Sequence, residues 1–289
     1  MRLTRILLTH STIMGLMIMQ ANAGKLNYTV YRADANSFHV ASVLVSGEKD
    51  AVLVDAQFTL ADAHKVAAEV LKSGKNLTAI YVSHGDPDYY FGLGVLKQAF
   101  PKARIYATPQ TLAHIRKTYQ KKLEVWGPKL GENGPKDVVF PETLPGNSLS
   151  LEGKSLEIKG LDGPSPERSY VWIPDLKAIV GGVNVYDGLH LWTADAGTPE
   201  KRKAWLAILE GMEKLRPEIV VPGHALGDGH RNAQSIAYSK QYLLTFEKEA
   251  ESAKDSGALI AAMQKLYPDA QLTIALQLGA KVAKGEMTW

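Results

Sequence analysis

The sequence predicts an α/β sandwich, and three observations predict it. Short apolar runs rich in β-branched residues alternate with helical patterns in the first part of the chain. A second series of short strands follows between about residues 148 and 180, and beyond residue 198 the patterns are mainly helical. This order is typical of a domain in which helices cover sheets, and the chain is long enough for a large core.

Residues 1–23 have the layout of a secretory signal. Arg2 and Arg5 precede an apolar stretch at residues 6–19, and Ala21-Asn22-Ala23 provides a small-x-small cleavage site. A membrane anchor is the alternative, but the apolar core is too short and too polar for the roughly 20 residues that span a bilayer. We expect cleavage after Ala23 and a periplasmic or secreted protein.

Composition limits the possible partners. The formal net charge is +3, and removal of Arg2 and Arg5 with the leader leaves +1. This charge is too small to indicate binding to nucleic acid. We interpret the basic pairs Arg116-Lys117 and Lys121-Lys122 as a solvated helix face. Cysteine is absent, so there are no disulfides and no thiolate metal ligands. We therefore expect a small-molecule substrate and no membrane anchoring once the leader is removed.

The first half predicts alternating strands and helices. Predicted strands cover residues 40–45, 51–54, 77–82 and 104–107. Predicted helices cover residues 60–71, with Gly74 as C-cap, a segment from about Tyr90 to Pro101, and a segment that Thr108-Pro109 opens. Residues 123–147 contain four prolines and predict a long irregular segment, either a flap over a site or a packed connector.

The second half predicts strands and then helices. Predicted strands cover residues 148–151, 156–158, 170–173 and 178–180, and a helix with Thr198 as N-cap follows. A strand at residues 218–221 then delivers Pro222-Gly223-His224 to a loop. From about Ala233 the pattern is helical, so we divide the chain into a domain at residues 24–232 and a helical extension at 233–289 that packs on it.

A polar turn, residues 83–89, follows the apolar strand at 77–82. If the turn is extended, the side chains of His84, Asp86 and Asp88 lie on one face, because residues two apart point the same way. An imidazole and two carboxylates are good ligands for a divalent cation. The alternative is a helix-capping turn with Asp86 or Asp88 as N-cap and His84 incidental.

This turn resembles a degraded form of the metallo-β-lactamase superfamily signature, His-x-His-x-Asp-His. It reads His84-Gly85-Asp86-Pro87-Asp88-Tyr89, so the first His and the Asp match. Upstream, an apolar strand that ends in Asp55 is similar to a second landmark of the family, and downstream Pro-Gly-His224 is similar to a third. The resemblance covers roughly residues 28–225 and implies a four-layer αβ/βα sandwich, which the helical extension follows.

The resemblance also implies a site. His84, Asp88 and His224 stand at the family's metal-ligand positions, with Asp86 as a possible substitute for the second His. The segment that aligns with the third His, residues 161–169, contains none, and the bridging Asp aligns with Val183. The implied protein is a hydrolase of an ester, thioester, lactone or related bond. It would use one divalent metal (zinc, iron or manganese) that His84, Asp86, Asp88 and His224 bind.

Catalytic roles and two other function classes follow from the same residues. Asp88 would orient the attacking water, and Tyr89 or His190 could assist the leaving group. For His190 the alternative is a loop histidine packed against Trp192. The lost ligands favour a non-catalytic binding protein as one alternative. Two His and one carboxylate also suit an iron-type redox enzyme as a second alternative.

Overall fold

The computed structural model of the protein describes residues 24–289, and the predicted leader lies outside these residues. Two sheets with helices on their outer faces form the body of the protein. Within residues 24–289, no helix has the length and apolar character needed to cross a bilayer.

The first sheet has six strands in the order β1-β2-β3-β4-β5-β6. Strands β1 to β3 are antiparallel, and β3 to β6 run parallel to one another. Helical crossovers join these parallel strands, so their carboxyl ends meet at one edge. The strands are β1 (Asn27–Arg32), β2 (Ala41–Ser46), β3 (Asp50–Val54), β4 (Asn76–Val82), β5 (Arg104–Ala107) and β6 (Glu142–Thr143).

The second sheet has five strands in the order β12-β10-β9-β8-β7, and a separate parallel pair joins β11 to β13. Strands β7 to β10 are antiparallel neighbours, whereas β12 pairs with β10 in parallel. The strands are β7 (Ser148–Leu151), β8 (Lys154–Lys159), β9 (Tyr170–Ile173), β10 (Ala178–Val180), β11 (Tyr186–Asp187), β12 (Ile219–Val220) and β13 (His224–Ala225).

The helices begin and end largely where the sequence predicts. Thr59, Thr108 and Thr198 are N-caps whose side-chain oxygens accept backbone N–H groups, and Gly74 ends the first helix in the left-handed conformation, at φ 67°. The helices are α1 (Leu60–Ser73), α2 (Pro87–Tyr90), α3 (Leu93–Ala99), α4 (Pro109–Leu130), α5 (Pro199–Lys214), α6 (Ala233–Ser252), α7 (Ser256–Leu266) and α8 (Thr273–Ala283).

The core is divided by the sheets. Val43 and Val54 of the first sheet and Val171 of the second belong to one apolar cluster, which places the two sheets face to face. Residues on the outer faces, such as Leu53 in β3 and Ile80 in β4, pack with helix residues in a second cluster. Because strand side chains alternate between faces, each sheet buries both sides. This arrangement confirms the predicted αβ/βα sandwich with helices after it.

Two local expectations are wrong. Residues 123–130 are helical and complete α4, because Pro128 lies in the last turn, where one lost backbone hydrogen bond does not end the helix. Residues 87–90 form α2, so the polar turn is not extended through Asp88. Asp86 occupies the N-cap position of α2, but its side chain makes no capping hydrogen bond and instead contacts His84 and Lys122.

Candidate functional site

A cavity of about 450 Å³ lies where the turn after β4 faces the loop that delivers His224. Helix α4 forms one wall, and the segment after α8 contributes Met287, Thr288 and Trp289 to another. Four aromatic side chains, Phe38, Trp126, Trp192 and Trp289, line it together with Tyr186. Its charged and ionisable lining residues are Asp86, Asp88, Asp195, His114, Lys117, Lys121, Lys122 and His224. An apolar cavity with a few polar groups is typical of a ligand site.

His224 is delivered to this cavity by close packing of backbone segments. A side chain at Gly223 would place its Cβ 2.2 Å from the carbonyl oxygen of Gly182, so only glycine fits the approach. The Nδ1 atom of His224 lies 2.8 Å from the carbonyl oxygen of Phe38 and therefore carries the hydrogen. Nε2 is then an acceptor, and the buried hydroxyl of Tyr89 donates to it at 3.0 Å. Burial lowers the pKa of His224 to about 3, so its imidazole is neutral.

Asp86 forms the centre of a charged cluster. Its Oδ1 accepts a hydrogen bond from the ammonium group of Lys122 at 2.6 Å, and its Oδ2 lies 3.2 Å from Nε2 of His84. Burial raises the pKa of Asp86, but the Lys122 and His84 charges outweigh burial and hold this pKa well below its usual range. Nδ1 of His84 lies 3.2 Å from the carbonyl oxygen of Glu167. Both nitrogens of His84 therefore have partners within the protein.

Sequence reasoning missed Lys122 and His114. The ammonium group of Lys122 also donates to the carbonyl oxygen of Gly85 at 2.8 Å, and Nε2 of His114 is 3.3 Å away. Burial, then Lys122, lowers the pKa of His114 to about 4. The expected solvated face is wrong for Lys122, whose side chain is 17% exposed. The sequence feature that could have predicted this is the spacing of His114, Thr118 and Lys122, which recur every four residues and therefore share one face of α4.

Asp88 differs from the other site residues because its carboxylate has no donor from another residue among those described. It is 6% exposed and lines the cavity, and its Oδ2 lies 3.5 Å from Nε2 of His224. Burial raises its pKa well above the usual range, and the negative charge of Asp86 raises it further. Asp88 is thus a buried carboxyl group at the cavity wall, where burial favours its protonated form and where, among the described residues, no lysine or arginine forms an ion pair with it.

The structure brings five of the predicted site residues together and separates one. Asp86, Asp88 and His224 line the same cavity, and Tyr89 lies behind them, with its ring 5.4 Å from that of His84 and 5.8 Å from that of His224. His190 is not among the residues that line the cavity. The Nδ1 atom of His190 lies 2.9 Å from the hydroxyl of Tyr242 on α6, and the residue is 1% exposed. Its catalytic role stays a prediction.

A buried polar link supports the turn from below. Asp55, at the end of β3, accepts hydrogen bonds from the backbone N–H and the hydroxyl of Ser83 at 2.8 Å. The hydroxyl of Ser83 in turn accepts the N–H of Gly182 at 2.7 Å. Burial raises the pKa of Asp55 to about 7. The link ties both sheets together directly beneath His84.

The αβ/βα sandwich and a cleft at the strand ends define the class of the protein. The family model described as "Metallo-beta-lactamase superfamily" matches residues 36–224, so the chain belongs to this superfamily. A search of curated proteins found no match. The family includes hydrolases such as β-lactamases and alkylsulfatases.

Solved structures show the same fold at low sequence identity. A "Beta-lactamase domain protein" from Burkholderia ambifaria is 14% identical, with a TM-score of 0.62 and coverage of 90% of this chain and 84% of that one. A metallo-β-lactamase from Pontibacter korlensis is 16% identical, with a TM-score of 0.53 and coverage of 76% and 95%. A sec-alkylsulfatase from Pseudomonas sp. is 14% identical, with a TM-score of 0.59, and the chain spans 50% of its length.

Members of this superfamily generally bind divalent metals, usually zinc. Among residues 24–289, no three His, Asp or Glu side chains converge as a group that could hold a metal ion. Val183, which the motif order predicts at the position of the family's bridging Asp, is buried. The hydroxyl of Ser169, at the end of the segment in which the third His is expected, donates to the carbonyl of Ser83. The described residues therefore do not fit a two-metal centre.

Proposed function

We propose that this chain binds a small organic molecule in the cleft and does so without a metal ion. The observation that carries the proposal is the cavity of about 450 Å³, whose walls include the aromatic residues Phe38, Trp126, Trp192 and Trp289. The end of the cavity lined by Asp86, Asp88, Lys122 and His224, here called the inner end, is polar. Ligand pockets of proteins typically have about this volume, mainly apolar walls and a few polar groups that fix orientation.

The hydrogen bonds at the inner end support the proposal that the cleft binds its ligand without a metal ion. A metal ligand must offer a free lone pair, and Nε2 of His224 already accepts the hydroxyl hydrogen of Tyr89. Asp86 is already neutralised by the ammonium group of Lys122, which supplies a positive charge inside the cluster. Of the four predicted ligands, only Asp88 retains a carboxylate without a hydrogen-bond donor from another described residue.

The side chains have separate tasks in this proposal. The aromatic walls exclude water and contribute apolar area to the ligand. Asp88 faces the ligand directly and accepts a hydrogen bond or a positive charge from it. The Tyr89–His224 pair and the Asp86–Lys122 pair hold the inner end in one arrangement, because each polar atom in a buried network needs its partner.

A neutral apolar dye tests this function. We expect Nile red to bind with an increase in fluorescence in the presence of excess EDTA, because the aromatic walls need no metal. Thr118 lines the cavity, so Thr118→Trp fills part of it and should weaken dye binding about tenfold or more. Gln120→Trp adds the same side chain on the exposed face of α4 and is the matched control.

Two outcomes contradict the proposal. Dye binding that EDTA abolishes and zinc restores would show that the cleft requires a metal. Unweakened binding in the Thr118→Trp variant, equal to that in the Gln120→Trp variant and with native circular dichroism in both, would show that the dye binds outside the cavity.

A second candidate is a hydrolase with one divalent cation, which would act on an ester, thioester, lactone or related bond. The observation that favours it is the approach of Asp88 Oδ2 to His224 Nε2 at 3.5 Å, with the hydroxyl of Tyr89 beside them. These residues would hold the cation, which would supply an activated water when bound. Hydrolysis of such a compound that EDTA stops and His224→Ala removes would favour this candidate over the first.

A further inference from the structure

Four aromatic rings form consecutive walls of the cavity. Phe38 lies between Trp126, at a centroid distance of 5.3 Å, and Trp192, at 5.8 Å, and Trp192 contacts Trp289 at 5.5 Å. The planes of neighbouring rings meet at 74°, 64° and 65°. The rings therefore form the corners of a box instead of a parallel stack. The faces of tryptophan and phenylalanine rings carry negative potential, and boxes of such rings bind organic cations.

The ring of Trp126 already binds a cation on the protein surface. The ammonium group of Lys129, which is not among the cavity-lining residues, lies 4.5 Å from the centroid of this ring. Lys129 follows Trp126 by three residues on α4, so this contact is local to the helix. It shows that a positive group at the ring is compatible with this part of the fold.

One carboxyl group at the inner end is open to a positive group from a ligand. The carboxylate of Asp86 already pairs with the ammonium group of Lys122 at 2.6 Å. Asp195 accepts the N–H of Trp289 at 2.8 Å, and the positive charges of Lys122 and Arg168 act on it. Asp88 has no lysine or arginine ion pair within residues 24–289, and the nitrogen Nε2 of His224 lies 3.5 Å from its Oδ2. The other basic lining residues, Lys117 and Lys121, are exposed at the rim, where water screens them.

We infer that the cleft takes an organic ammonium ion with an apolar body, whose charged end lies in the aromatic box and pairs with Asp88. This inference rests on the proposed function, since it names the ligand class of the same cavity. The ionised form of a carboxyl group that is 6% exposed and has no donor from another described residue is costly to bury. An ammonium ligand beside Asp88 supplies the partner that stabilises this ionised form. A quaternary ammonium ion suits the box best, because its methyl groups pack against rings while its charge attracts their faces.

Three probes with one apolar body test the inference by titration calorimetry on residues 24–289. They are benzyltrimethylammonium, benzyl alcohol and benzylsulfonate, which carry a positive, zero and negative charge. We expect the cation to bind at least about tenfold more tightly than either of the others. Asp88→Asn, which keeps the shape of the side chain, should reduce the affinity for the cation about tenfold and the affinity for benzyl alcohol by less, because the amide oxygen still accepts a hydrogen bond but carries no charge.

Control variants separate the specific effect from net charge and from folding. Glu210→Gln removes one exposed negative charge on α5 and should leave all three affinities unchanged. Trp126→Leu should reduce the preference for the cation several-fold, because leucine keeps apolar contact and loses the ring face.

The outcomes distinguish this inference from the proposed function. Equal or tighter binding of benzylsulfonate or benzyl alcohol would overturn the ammonium assignment and leave small-molecule binding intact. A preference for the cation that Asp88→Asn does not change would overturn the role of Asp88. Absence of heat for all three probes, together with absence of Nile red binding, would overturn both the inference and the proposed function.

Discussion

The ammonium group of Lys122 lies 2.6 Å from Oδ1 of Asp86, so helix α4 is tied to the turn after β4 through an ion pair inside the cleft. Both side chains are less than one-fifth exposed. Asp86 stands where the family signature has a His, and the positive charge beside it comes from a side chain of the same protein. A lysine that neutralises this position reduces the need for a cation there.

Removal of Lys122 should destabilise the protein. Lys122→Met leaves the carboxylate of Asp86 with His84 as its remaining partner, and we expect a loss of about 1–3 kcal/mol in the free energy of unfolding. Lys121→Met, on the exposed face one residue away, should change it by less than about 0.5 kcal/mol. Urea unfolding of both variants checks the difference, and equal effects would refute the buried pair.

The hydrogen bond from Tyr89 to His224 has a matched control next to it in the chain. Tyr89→Phe should cost about 1–2 kcal/mol and raise the pKa of His224, because the neutral imidazole loses the donor to Nε2. Tyr90→Phe should cost nothing, because the buried hydroxyl of Tyr90 has no partner in the described structure. Unfolding and a histidine NMR titration measure both effects. Identical results for the two variants would contradict the assigned hydrogen bond.

Asp55 should make stability depend on pH. Its pKa is about 7 in the folded state and near 3.8 without the fold, so the native state holds the proton over a range where the unfolded state releases it. The contribution of Asp55 is fully present below about pH 4 and is lost as pH rises through about 7. Stability of the wild type should therefore fall more between about pH 5 and about pH 8 than stability of Asp55→Asn. Parallel pH profiles would contradict the raised pKa.

Export is a proposal that rests on residues 1–23, which lie outside the described structure. If the leader is cleaved after Ala23, intact-mass spectrometry of protein from a bacterial periplasm should give a chain that begins at Gly24. Changing Ala23 to a bulky residue, as in Ala23→Trp, should block cleavage, since the site requires small residues. A full-length chain in the wild type would contradict the proposal.

Much of the fold was predictable because it depends on local signals. The spans predicted for β5, β9 and β10 agree with the structure, since short apolar runs between turn residues are strong strand signals. The end of α4 was not predictable from its prolines. Pro128 is compatible with a last helical turn, and only packing of Trp126 against Phe38 and Phe58 shows that the helix continues.

The site was only partly predictable because its polar contacts join distant segments. The convergence of His84, Asp86, Asp88 and His224 followed from the motif order. The structure places Asp86, Asp88 and His224 in the cavity wall, and His84 contacts Asp86. Whether Asp86 faces a metal ion or the side chain of Lys122, 36 residues away in the chain, depends on how α4 crosses the cleft. The spacing of residues within the turn gives no information about that crossing. The aromatic box likewise combines residues from four separate segments.

Titration of zinc into chelator-treated protein decides whether the cleft requires a metal. In the proposed function, the polar groups of the cleft satisfy one another, apart from Asp88, and ligand binding requires no metal. We predict no saturable zinc binding by calorimetry, and unchanged binding of benzyltrimethylammonium in EDTA. One equivalent of zinc held by the wild type, lost in both the His84→Ala and the His224→Ala variants, would contradict the claim and restore the one-metal hydrolase.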